Sequence, residues 1–184
     1  MAGNIHNDAQ PDALQRLDLE RLDFGRMALA LAEARLAAEA GEVPVGAVLF
    51  LGDQQLASGQ NRVLRDHDPT AHAEVVALRI AGQQLRNYRL LNCTLYCTLE
   101  PCAMCAGAMI HARLGRLVYG AADPKTGAAG SMLQVLNHPE LNHQLPVTPG
   151  ILADACGGVL QQFFRARRRS LKGSLTSTAA EAEG

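Results

Sequence analysis

His72, Cys102 and Cys105 offer one imidazole and two thiols, with Glu74 two residues after the histidine and Pro101 directly before the first cysteine. One histidine and two thiolates bind zinc through three protein ligands and leave the fourth coordination position open for water, the arrangement of a catalytic zinc. A structural zinc has no use for Glu74. Beside a zinc-activated water, whose pKa falls towards about 7, a carboxylate can accept the water's proton and deliver it elsewhere. The resulting hydroxide suits attack on an electron-poor ring carbon bearing an amino group, where the ring nitrogen and the leaving amine must each gain a proton. A tetrathiolate using Cys93 or Cys97 with Cys102 and Cys105 would leave His72 and Glu74 idle. Cys97 alternates with Leu95 in a strand pattern and reads as core, Cys93 and Cys156 as ordinary thiols. His67, His111, His138 and His143 lack ligand spacing and read as surface or hydrogen-bonding residues.

Two helix starts must bring these groups together. The pattern His72 to Leu85, with Val75, Val76, Leu78 and Ile80, predicts a helix with Thr70 as its N-cap. Pro101 is at the favoured opening of a second helix, running to about Ala112. Its i and i+3 cysteines share one face, and the positive end of the helix favours their thiolates. That helix is apolar nearly all round, so it should be buried on more than one side. Residues 72 and 74 would diverge in mid-helix; in a first turn facing the ion both can reach it.

Around these helices the chain alternates. Leu19 to Ala40 reads as a helix stopped by Gly41. Val45 to Leu51 reads as a buried strand, with Gln55 to Gly59 as its hairpin return. Asn61 to Thr70 reads as a loop broken by Asp68-Pro69. Thr94 to Thr98, Leu117 to Gly120 and Leu145 to Thr148 read as further strands, and Ile151 to Arg169 as a closing helix that becomes strongly basic. This order implies an α/β fold with a mixed, about five-stranded sheet covered on both faces. Right-handed crossovers place strands 94–98 and 117–120 side by side and parallel. Residues 1–18 read as a flexible extension, 19–170 as one domain and 171–184 as a disordered tail.

Composition sets outer bounds. A net charge of −1 argues against indiscriminate nucleic-acid binding but permits a local basic patch, such as Arg165, Arg167, Arg168 and Arg169. Five clustered cysteines do not look like a disulfide framework and fit a metal site in a reducing compartment. With no secretory signal and no apolar run of about 20 residues, the default reading is a cytoplasmic protein without a membrane anchor.

The H-x-E and P-C-x-x-C pair is the signature of zinc deaminases that act on nucleobases. The wider chain closely resembles the bacterial TadA-type tRNA-specific adenosine deaminases, of the cytidine-deaminase-like superfamily. The resemblance rests on EVPVGAVL (42–49), HDPTAHAE (67–74), NYRL (87–90), TLEPCAMCAGAMIH (98–111), KTGAAGS (125–131), LNHPELNH (136–143), GILADAC (150–156) and FFRARRR (163–169), in family order. It implies a three-layer αβα sandwich, a homodimer and one zinc per subunit. It also implies hydrolysis of adenosine to inosine at the wobble position of a tRNA, chiefly an arginine tRNA. His72, Cys102 and Cys105 would bind the zinc and Glu74 would shuttle protons. Asn61 would contact the flipped nucleoside, Asp123 the RNA backbone, and the basic helix with Arg165, Arg167 and Arg168 the anticodon stem-loop. Lys125 is a further candidate RNA contact. Ala122 departs from the arginine of some relatives, at the expense of one phosphate contact. A deaminase of the same fold acting on guanine, cytosine or a free nucleoside would need neither the arginine run nor the KTGAAGS loop. A noncatalytic zinc module would not need Glu74.

Overall fold

The computed structural model describes residues 12–181, with side chains as far as residue 170. Strands β1 (Gly46–Leu51), β2 (Gln54–Gln60), β3 (Cys93–Leu99), β4 (Arg116–Ala121) and β5 (Val147–Thr148) form one sheet in the order β2-β1-β3-β4-β5. The Gly52-Asp53 turn makes β1 and β2 an antiparallel hairpin, and β1 is also antiparallel to β3. From there the sheet is parallel: Leu95 pairs with Leu117, Tyr96 with Val118, and β5 follows alongside β4. The sheet is therefore mixed, and the expected parallel pairing of residues 94–98 with 117–120 is observed.

Alternation along the strands sorts the core into two layers. Ala47, Leu49, Leu95, Cys97, Leu117 and Tyr119 face α3 (Ala73–Leu85) and α4 (Ala103–His111), meeting Ala77, Leu78, Ala106 and Met109. Val48, Phe50, Tyr96 and Val118 face the other way, against Met27, Ala30 and Leu31 of α1 (Ala13–Glu39) and Cys156 of α5 (Ala153–Glu181). The result is three layers, αβα, with the two cysteine- and histidine-bearing helix starts on the same face. Gly59 allows α3 to lie close on the hairpin: a Cβ there would fall 2.2 Å from the Ala73 carbonyl oxygen. A side chain at 59 would therefore displace the first turn that carries Glu74.

The second layer is tied together by a polar cluster. Asp23 is buried and accepts hydrogen bonds from the Tyr96 hydroxyl (2.9 Å) and from Arg116 Nη1 and Nη2 (2.9 and 2.6 Å). Arg116 also donates to Thr148 Oγ1. The cluster joins α1, β3, β4 and β5, and removing Asp23 leaves the buried Tyr96 hydroxyl and the partly buried Arg116 guanidinium without their shared acceptor. Asp23→Ala should lower stability by about 3–5 kcal/mol in denaturant titration, with little change in metal content.

Several boundaries differ from the sequence reading. α1 begins at Ala13, inside the expected flexible extension, because Asp12 and Gln15 form a reciprocal capping box; residues 1–11 lie outside the described residues. α5 runs on to Glu181, through most of the expected disordered tail. The expected loop at 61–70 contains a one-turn helix, α2 (Val63–Asp66). Thr70 does not cap α3; its backbone N–H and hydroxyl donate to Asp68 Oδ1 instead, and the N-cap is His72. Pro101 precedes the N-cap of α4, which is Cys102. In the single chain α4 is buried on one side only: Ala106 and Met109 are enclosed, while Met104 and His111 remain exposed.

Candidate active site

His72 and Cys102 are both N-cap residues with extended backbones, φ −71° and ψ 150° for the histidine, φ −73° and ψ 172° for the cysteine. This resolves how His72 and Glu74 converge. The histidine lies outside the helical period of α3, whereas Glu74 sits in its first turn. Cys102 likewise precedes α4, and Cys105 is three residues inside it. Two helix N-termini therefore bound one small volume, each with its positive end toward it.

His72 Nδ1 lies 3.7 Å from Cys102 Sγ and 3.6 Å from Cys105 Sγ, and the two sulfurs are 3.7 Å apart. Zinc–sulfur bonds of about 2.3 Å and zinc–nitrogen bonds of about 2.0–2.1 Å give a tetrahedron with edges of about 3.8 Å between sulfurs and about 3.6 Å between sulfur and nitrogen. The observed triangle matches one face of that tetrahedron, so the donor set fits zinc with its fourth position free. It is the only such cluster of potential ligands among the described residues. Cys97 is not part of it: the residue is fully buried in β3 and its thiol donates to the Leu99 carbonyl.

Titration follows the same geometry. Cys102 is pulled down to about 4, first by its hydrogen bond with the Cys105 thiol and then by that with His72. The bond to Cys102 and burial push Cys105 up. The bond to Cys102 holds His72 above its ordinary value. Glu74 is only 3% exposed, and its Oε2 is buried without a hydrogen-bond partner. Burial pushes its carboxyl up. A buried, unsatisfied carboxylate oxygen beside a metal-fitting triangle has the placement that acid/base chemistry would require.

Two buried glutamates that the sequence reading passed over organise the surroundings. Glu42 accepts from the Leu64 and Arg65 backbone N–H groups and so caps α2; Arg65 in turn donates to the Asn61 carbonyl at 3.0 Å. Arg62 N donates to the Ala71 carbonyl, closing the loop whose ends are Asn61 and His72. Asn61 is thereby held, 7% exposed, and its neighbour Arg62 is tied to Ala71, the residue before the histidine. On the opposite side Glu100 accepts from Asp123 N, Ala129 N and Ser131 N, each at 3.0 Å, and from the Ser131 hydroxyl. Burial works against its ionisation, but these bonds hold its carboxyl below the usual range. In sequence both glutamates sit within apolar or ligand-bearing blocks, and nothing in the residue type distinguishes a buried carboxylate from an exposed one.

The remaining candidates are distributed unevenly. Asp123 uses both carboxylate oxygens within its own turn, accepting from Lys125 N, Thr126 N and the Thr126 hydroxyl. Lys125, Arg165 and Arg168 line one groove of about 650 Å³ together with Asp123, Leu160 and Phe164. Arg167 is exposed on α5 but does not line that groove. Three of the four proposed cations are thus brought to one trough between the 121–125 segment and α5.

Comparison with known proteins agrees with this architecture. A model of the MafB19-like deaminases matches residues 23–168. Over 151 residues the chain is 50% identical to a tRNA-specific adenosine deaminase of Haemophilus influenzae, covering 82% of this chain and 87% of that one. It is 43% identical over 143 residues to the tRNA-specific adenosine deaminase of Bacillus subtilis, covering 78% and 89%. A solved tRNA:A34 deaminase, studied for A-to-I editing at the wobble position of transfer RNA, aligns with a TM-score of 0.72 and 44% identity over 74% of this chain and 99% of its own. A guanine deaminase from Nitrosomonas europaea aligns with a TM-score of 0.67 but only 28% identity, over 76% and 83%.

Proposed function

Because the chain belongs to the tRNA-specific adenosine deaminases, we propose that it hydrolyses adenosine to inosine at the first anticodon position of a tRNA, an arginine tRNA first among them. The observation that carries the chemistry is the 3.6–3.7 Å triangle of His72, Cys102 and Cys105 beside the unpartnered Glu74 Oε2. His72 Nδ1 and the two sulfurs are the ligands of one zinc per subunit. When bound, zinc supplies a Lewis acid that lowers the pKa of water to about 7. Glu74 would relay both protons of the attacking water in turn, the first to the ring nitrogen and the second, from the hydroxyl left on the ring carbon, to the departing amine, so that water and adenosine become ammonia and inosine.

Asn61 grips the extruded nucleoside. Asp123 and Lys125 meet the backbone beside it, while Arg165, Arg167 and Arg168 follow the phosphates of the stem-loop. The target base must leave its stack to reach the metal, which is inexpensive in an unpaired anticodon loop. The exposed side of α4, with Met104 and His111, is covered by a second copy of the chain in a homodimer. The enzyme works in the cytoplasm, where tRNA is; among the described residues no helix is long and apolar enough to cross a membrane.

A guanine or free-nucleoside deaminase would need no groove of cations, which favours the RNA reading over the more distant likeness. The deciding assay supplies an arginine tRNA with adenosine at the wobble position and, separately, free adenosine and free guanine. Inosine should form in the RNA with one ammonia per inosine. Ammonia from guanine without inosine in RNA would defeat the proposal. In the same assay the double variant Arg165→Ala, Arg168→Ala should keep its metal but raise KM. It should also flatten the dependence of log affinity on log salt by about two units, one per lost phosphate contact.

A further inference from the structure

We propose that Glu100 is a positioning residue for RNA: its buried carboxylate sets the 123–131 loop, and with it Lys125, in register with the metal-ligating turn. The inference rests on the RNA-deaminase reading above. Glu100 is 2% exposed and stands two residues before Cys102. Among the described residues no cation is paired with it; its oxygens are filled by donors from a single loop. Oε2 takes Asp123 N and the Ser131 hydroxyl, while Oε1 takes Ala129 N and Ser131 N. The two ends of the loop are therefore fastened to one carboxylate. Gly127, between them, lies directly on it: a Cβ at 127 would fall 2.5 Å from Glu100 Cδ and 2.5 Å from the Asp123 carbonyl. The loop also meets the ligand turn itself, through Ala128 N to the Pro101 carbonyl and a bridge between Cys102 and Gly127. Asp123 and Lys125, at the near end of this loop, line the cationic groove.

A buried anion satisfied only by N–H and O–H groups fixes direction as well as distance, because every donor must point at it. Glutamine cannot replace it. Its NH₂ group faces the Asp123 N–H in one orientation and the Ala129 and Ser131 N–H groups in the other. The first orientation conflicts with fewer donors, since the Ser131 hydroxyl can turn to accept, so Glu100→Gln releases the Asp123 end in particular.

The test compares zinc-loaded wild type with Glu100→Gln, Ser131→Ala and Gly127→Ala on an anticodon stem-loop carrying the wobble adenosine. It reads zinc content, thermal midpoint, kcat, KM and the salt dependence of RNA binding. Glu100→Gln should keep its zinc, raise KM by about 10- to 100-fold and flatten the salt dependence by about one unit, the contact made by Lys125. Adding Lys125→Ala to it should then change that dependence no further. Gly127→Ala should behave like Glu100→Gln without altering any charge, and Ser131→Ala should shift KM in the same direction by less. Wild-type KM and salt dependence in Glu100→Gln, or zinc lost in step with activity, overturns the inference. Should Glu100→Gln not fold, the other two variants decide by the same criteria. Failure of wild type to bind or deaminate the RNA would instead refute the functional reading on which the inference rests.

Discussion

Glu74→Gln should lower kcat on the wobble-adenosine RNA by about 10²- to 10⁴-fold while zinc stays bound at one per subunit. Glutamine keeps the shape of the side chain and can still hydrogen-bond water, but it can neither take a proton nor return one. The metal should stay because the triangle of His72 Nδ1 and the two sulfurs does not include residue 74. A second readout separates this role from a structural one. In the zinc-free protein, burial raises the carboxyl pKa of Glu74 above its unfolded value. A raised carboxyl contributes stability that is complete below the unfolded pKa and lost as pH rises through the folded pKa. Holding a buried carboxylate ionised with one oxygen unpartnered therefore costs stability at neutral pH, and Glu74→Gln removes that cost. The zinc-free variant should melt above zinc-free wild type at pH 7 to 8, and the difference should shrink as pH falls toward the ordinary carboxylate range and show no further change below it. Unchanged turnover would sink the proton-shuttle assignment; zinc loss would make residue 74 part of the ligand set.

The sequence carried the chemistry further than the geometry. H-x-E and C-x-x-C point to the three side chains that the fold gathers into a group able to hold a metal, because zinc tolerates few donor types, and strand alternation sorts Leu49, Leu95 and Leu117 from Val48, Tyr96 and Val118 because a sheet has two faces. What remained hidden depends on partners distant in the chain. The turn at 63–66 is helical because Glu42 caps it from before β1, a partner that no local pattern reveals. Thr70 has the chemistry of an N-cap, but Asp68 claims its donors and the chain stays extended one step longer, leaving His72 at the cap. That shift brings histidine and Glu74 to the same side, where an ordinary helix would have separated them. The start of α1 was legible as the Asp12 and Gln15 pair and was outweighed by the polar composition around it. Asp123 reads as an RNA contact by resemblance. Its two oxygens are occupied by its own turn, so RNA contact there requires those bonds to be shared or exchanged.

Cys105→Ala should abolish stoichiometric zinc binding and reduce deamination to background, with zinc restoring activity to chelator-treated wild type but not to the variant. Two remaining donors cannot close a tetrahedral site, and Cys105 is the buried member of the triangle, so water cannot take its place without opening the core. The proton balance makes the prediction sharper. Cys102, at about 4, is already a thiolate at neutral pH, whereas Cys105 is pushed up and remains a thiol in the metal-free protein. His72 is raised as well, so part of the population carries a second displaceable proton. Zinc binding to wild type at pH 7 should release about one to two protons, the Cys105 proton always and the His72 proton in part. As pH falls the imidazole charges more fully, so each binding event must displace more protons and affinity should fall steeply. Calorimetry in buffers of different ionisation enthalpy measures that number directly. Release of no protons would mean that both sulfurs are thiolates and the imidazole is neutral before the metal arrives, and would overturn the assignment of Cys105 as a thiol.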